Sequence, residues 1–193
     1  MRDNQVYDNI LSHATDAFRE RGYHSVGIAD LLKECGISRG SLYYYFPNGK
    51  EELASAVIKN LVATSSDKLQ RLLLQTDLEP LSALQNYIID LADEIDEGNC
   101  NISVHLFLLD ISQINEELRQ ECEHAIDTLD FFFYTKIKEC DLSVDATKKL
   151  SDTVVSMILG AANNCVLKRD SQLLRSLADG LPTLFAGYDY QKK

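Results

Sequence analysis

A chain of 193 residues, 45% hydrophobic and 25% charged, can form one or two domains with a real core. No uninterrupted apolar run approaches the roughly 18 residues of a membrane span, and MRDNQVYDNI lacks a basic stretch followed by an apolar one. A membrane protein and a secreted one are therefore not expected, and the cytoplasm is the expected location. The net charge of −11 argues against indiscriminate binding to nucleic acid, but the charge is uneven. Residues 1–60 carry 7 basic and 8 acidic side chains, residues 61–193 carry 12 and 22, so only the front third can approach phosphate cheaply.

The periodicity is helical nearly throughout, which predicts an all-α fold of about nine helices. Ile10, Leu11, Ala14, Ala17 and Phe18 share a face of a first helix, and Gly22 suits its C-terminal cap. Ser25 is the expected cap of a second helix with Ile28, Leu31 and Leu32 inward. Gly36 then forces a turn, and Ser38 caps a short third helix to about Tyr45. Pro47-Asn48-Gly49 breaks it, because proline lacks the amide donor and glycine favours turns. A long fourth helix is expected from Lys50 to Gln75, and Pro80 opens a fifth with Leu84, Ile88, Leu91 and Ile95 inward.

Residues 96–101 read as a loop, followed by a short apolar sixth helix in ISVHLFLLDIS. A seventh helix is expected over about 115–140, an eighth over 144–167 and a ninth over 170–186. Asp93, Glu94, Asp96 and Glu97 read as a solvated acidic face. The five cysteines, Cys35, Cys100, Cys122, Cys140 and Cys165, show neither CxxC nor metal-ligand spacing, so no metal or other cofactor is expected.

Two short helices joined by a glycine turn form the helix-turn-helix pattern, whose second helix enters the DNA major groove. Such a helix needs a small residue where backbone meets DNA and hydrogen-bond donors around it. Arg39, Gly40, Ser41, Tyr43 and Tyr44 supply these, while Leu42, Tyr45 and Phe46 fall on the opposite side. Lys50 opens the next helix, where the free amides and its ammonium favour a phosphate. Spacing alone also admits a plain helical hairpin with surface tyrosines.

The stretch GISRGSLYYYFPNGKEEL, after a helix ending in RERGYHSVGI, closely resembles the N-terminal domain of TetR/AcrR-family repressors. The family form runs Gly-Val-Ser-Lys-Gly-Thr-Leu-Tyr-x-Tyr-Phe, then a turn and Lys-Glu-Glu-Leu. The turn is one residue longer here, as in the LmrA/YxaF subgroup. Cys100 stands where that subgroup has a cysteine, without its following proline, and Leu32 stands where many members have alanine.

The resemblance implies a DNA-binding domain over residues 1–49 and a ligand-binding and dimerisation domain over 50–193. It implies a dimeric repressor that binds a double-stranded operator and is released by a small molecule. Arg39, Gly40, Ser41, Tyr43, Tyr44 and Lys50 would face DNA, with Ser25 and Gly27 near a phosphate. A homodimer would form through the last two helices, whose apolar faces hold Val154, Val155, Ile158, Leu159, Ala162 and Val166, then Leu173, Leu174, Leu177, Leu181, Leu184 and Phe185. Tyr87, His105, Phe107, Leu108, Ile111, Phe132, Phe133 and Asn163 are candidates to line a pocket for a lipophilic effector, aromatic ones included. A thiol-responsive regulator with Cys100 as sensor is the alternative. A small all-α enzyme fares worse, because there is no HExxH, phosphate loop, nucleophile elbow or facing carboxylate pair.

Overall fold

The computed structural model describes residues 2–98 and 103–189, with side chains over 5–98 and 106–188. Cys100 and the side chain of His105 lie outside the described residues. Nine α-helices and no strand are present among those described: α1 (Arg2–Arg21), α2 (Ile28–Cys35), α3 (Arg39–Tyr45), α4 (Lys50–Leu69), α5 (Pro80–Asp96), α6 (Ser103–Ile111), α7 (Glu116–Ile137), α8 (Val144–Lys168) and α9 (Gln172–Asp189). The chain is all-α, as its periodicity predicts.

Three local features differ from the sequence expectation. The cap of α2 is Gly27, in extended backbone, rather than Ser25. Tyr23 and Val26 are both buried, and the Val26 amide donates to the Tyr23 carbonyl, so the chain is still turning at Ser25. α4 stops at Leu69 and passes into a π turn over Gln70–Leu74, closed by the Gln75 amide on the Gln70 carbonyl at 2.8 Å. The wider turn brings Leu72, Leu73 and Leu74 in succession against one core, which a straight α-helix would not do. The acidic stretch is also divided: Asp93 and Asp96 pair with Arg175 at 2.6 and 2.8 Å, while Glu94 pairs with Lys68 at 2.7 Å.

The chain forms two compact units, Met1–Ala63 with Ser103–Ala125, and Thr64–Ile102 with Ile126–Lys193. This division differs from the expected boundary at 49/50, since α4 supplies residues to both units and α6 belongs to the first. The first unit is centred on Ile10, Phe18, Leu31, Leu42, Phe46, Leu53 and Ile58, all nearly inaccessible. Asp110 of α6 accepts the Tyr23 amide at 2.9 Å, and Phe107 stacks on Phe18 with centroids 6.1 Å apart.

The second unit packs α5, α7, α8 and α9 around Leu84, Ile88, Phe133, Leu150, Val154, Leu174 and Leu181. Pro182 lies within α9 and cannot donate to the Ala178 carbonyl; Gln85 Nε2 of α5 donates to it instead, at 2.9 Å. α8 is long and apolar enough to cross a bilayer by length and composition, with a mean hydropathy of 1.3 over 18 residues. Burial of Leu150, Val154, Ile158 and Cys165 in the core accounts for that composition. It also turns part of the expected dimer face into the chain's own core. Val154, Val155, Ile158 and Ala162 are buried within their own chain, as are Leu174 and Leu181. The outward face of α8 holds Met157, Gly160, Asn164 and Leu167, and that of α9 holds Gly180 and Leu173, the latter one of the expected dimer-face residues.

Candidate functional site

α2 ends where Gly36 adopts the left-handed region, φ 66°, and the Ile37 amide reaches back to the Leu32 carbonyl at 3.1 Å. A Cβ at Gly36 would meet nothing within 4 Å, so the backbone angle alone demands glycine. Ser38 then caps α3, its Oγ accepting the Ser41 amide at 3.1 Å. Leu42 and Phe46 are 0% and 1% exposed, and burying each is worth about 1.5–3 kcal/mol. With those two inside, Arg39, Gly40 and Tyr44 are exposed, Tyr43 is 38% exposed and Ser41 is half-buried.

Gly40 carries its own argument. A Cβ there would come no nearer than 3.7 Å to any neighbour, so packing does not require glycine. Glycine is also a poorer helix former than alanine. A small residue on the exposed face of α3 is what close approach by another molecule's backbone requires.

The turn after α3 supports Tyr43. Gly49 has φ 71°, and a Cβ there would lie 3.4 Å from the Tyr43 ring. The Arg39 guanidinium sits 5.7 Å from the centroid of that ring. The Asn48 amide donates to Glu52 Oε2 at 2.8 Å, which fixes the entry to α4. Tyr44 stands edge-on to Tyr45 at 4.9 Å, and Tyr7 of α1 stacks on Phe46 at 5.3 Å. The four consecutive aromatics therefore divide into two outward rings and two that bind α3 to α1.

Ser25 and Gly27 are exposed at the start of α2, in the same unit as α3. Lys50 does open α4, but its ammonium is turned inward. It donates to the Tyr23 carbonyl and lies 3.9 Å from the centroid of the Tyr23 ring. Partial burial lowers its pKa, and nearby Asp110 partly opposes that shift.

The residues expected around an effector divide between the units. Phe107, Leu108 and Ile111 are buried in the first. Tyr87, Phe132, Phe133 and Asn163 belong to the second, where Tyr87 stands edge-on to Phe133 at 5.3 Å. The apolar reading missed a charged group there. Lys68 Nζ lies 2.5 Å from Asp90 and 2.7 Å from Glu94, and 5.9 Å from the Tyr87 ring centroid. Burial first, then Glu94 and Asp90, push the Tyr87 hydroxyl far above its ordinary pKa, so it remains a neutral donor. Positions 87, 90 and 94 share one helical face, a signal that the sequence does carry. Burial also raises the thiols of Cys35 and Cys122, the latter to about 11, which disfavours the reactive thiolate at both.

Comparison with known proteins bears on this arrangement. Residues 10–57 match the bacterial regulatory proteins of the tetR family. Residues 80–180 match the C-terminal domain of LmrA/YxaF-like transcriptional regulators. The HTH-type transcriptional regulator YxaF of Bacillus subtilis strain 168 is 31% identical over 183 residues, covering 92% of this chain and 93% of that one. The HTH-type transcriptional regulator LmrA of the same strain is 27% identical over 179 residues, covering 92% and 95%. A crystal structure of a TetR-family transcriptional regulator from Agrobacterium tumefaciens has the same fold, with a TM-score of 0.82 at 17% identity over 93% of this chain and 96% of that one.

Proposed function

The chain belongs to the TetR family of transcriptional regulators, in its LmrA/YxaF-like branch, and on that premise we propose that it is a dimeric repressor released from its operator by a small molecule. The observation that carries the DNA reading is the outward face of α3. Arg39, Gly40, Ser41, Tyr43 and Tyr44 project from a helix held down by Leu42 and Phe46. Arginine and tyrosine hydroxyls can donate to phosphate and base edges, and the tyrosine rings can meet thymine methyls. Ser25 and Gly27 would lie at a neighbouring phosphate. Lys50 would contribute through its place at the start of α4, because its ammonium is held by Tyr23.

A homodimer would use the outward residues of α8 and α9. Gly160 and Gly180 leave open space above the backbone there, so a partner helix could approach closely. The effector reading rests on Tyr87, Phe132, Phe133 and Asn163 of the second unit. These fit a lipophilic molecule, and the adjoining Lys68–Asp90–Glu94 group suits one that also carries a hydrogen-bonding substituent. Release is a shift of population, with α4 as its carrier. The effector must prefer the conformation that binds DNA poorly, and about 10⁴-fold preference would nearly invert a two-state balance.

Footprinting on the DNA upstream of the chain's own coding region tests the proposal. A protected pseudo-palindrome is expected, lost when an effective compound from a lipophilic panel is added while sedimentation still reports a dimer. Protection that persists at saturating, demonstrably bound compound would overturn the release mechanism.

A further inference from the structure

The first unit carries an open surface groove of about 410 Å³. Its lining comes from α1, the end of α3 and the first three turns of α4. Half-buried Tyr7 and Tyr45 form its aromatic wall, edge-on at 6.1 Å, and Tyr7 is backed by Phe46, which is 1% exposed and offers a ligand no face of its own. Asp8 and Glu52 contribute two carboxylates to the lining. Lys59 is the lining's cation, and its ammonium is 3.0 Å from Glu121, which offsets it.

From these groups we infer that the groove is a binding site for an organic cation, separate from the effector site proposed above. Aromatic faces attract a cation through their quadrupole, and carboxylates beside them add direct attraction. The same carboxylates repel an anionic ligand such as a nucleotide or a fatty acid. A cation with an apolar body satisfies both the rings and the acids, whereas a neutral hydrocarbon satisfies only the rings. Tyr45 connects the groove to the outward face of α3, because Tyr44, 70% exposed, stands edge-on to it at 4.9 Å. A ligand seated against Tyr45 therefore touches the ring that supports Tyr44. Its influence on operator binding rests on the DNA reading above; its binding does not.

The test is a ligand-observed NMR titration of the full chain, without DNA. The probes are benzyltrimethylammonium, its uncharged match neopentylbenzene, and anionic benzylsulfonate. Saturable binding of the cation is expected, about tenfold or more tighter than either of the others. Asp8→Asn with Glu52→Gln should weaken the cation by about tenfold or more while circular dichroism stays unchanged. Glu52 also holds the Asn48 amide, so Asp8→Asn alone, at an exposed position, decides the matter with a smaller loss should the double variant misfold. Equal binding of the cation and its neutral match, wild-type affinity in the folded variants, or no saturable binding would each overturn the inference.

Discussion

At Gly49 the backbone turns through φ 71° and the Tyr43 ring lies 3.4 Å from where a Cβ would stand. Gly49→Ala therefore strains the turn and displaces the ring. The expected loss is about 1 kcal/mol or more, read as a lower thermal midpoint, together with weaker operator binding. The cap at Ser38 and the apolar pair Leu42 and Phe46 are the kind of feature a sequence displays: cap chemistry and 3.6-residue spacing are local. The outward turn of Tyr43 and Tyr44 follows from the same spacing. The orientation of Lys50 was not legible, because its partner is a backbone carbonyl 27 residues away and sequence patterns carry no record of carbonyl directions.

α9 survives an internal proline because α5 supplies the missing donor. Gln85 Nε2 reaches the Ala178 carbonyl, and Ala178 is 1% exposed, so water cannot easily replace that bond. Gln85→Leu should leave the carbonyl unsatisfied and lower stability by about 1–3 kcal/mol in a denaturant melt. Gln85→Leu combined with Pro182→Ala should recover part of the loss, since alanine at that position restores the amide donor. Helix existence was readable for all nine elements, and the exceptions lie at ends and faces. The π turn after Leu69 and the late start of α2 depend on which residues the tertiary core pulls inward. The same is true of α8: its periodicity marks Val154, Val155 and Ile158 as one apolar face, but cannot say whether that face meets its own chain or another. In the structure it meets its own chain.

At the scale of the whole molecule, the net negative charge lies almost wholly behind residue 60, and a net charge of −11 leaves specific contacts to carry DNA binding. The near-neutral front third and the grouping of α6 with α1–α3 differ in this respect: the first is counted from the sequence, whereas the second needs the Asp110–Tyr23 and Phe107–Phe18 contacts. The proposed dimer belongs to this scale too. Gly160 is exposed with open space above it, so Gly160→Arg should leave the monomer's fold intact and move the sedimentation profile from dimer to monomer. An unchanged dimer would place the interface elsewhere.

The central claim, that the outward face of α3 reads the operator, is tested most directly by fluorescence anisotropy on the footprinted DNA with Arg39→Ala and Tyr43→Ala. Neither side chain belongs to the buried core, so both variants should keep the wild-type circular dichroism. The account predicts that each weakens binding by about tenfold or more, and that the affinity of the wild-type protein falls as salt rises. Wild-type operator affinity in both folded variants would contradict it.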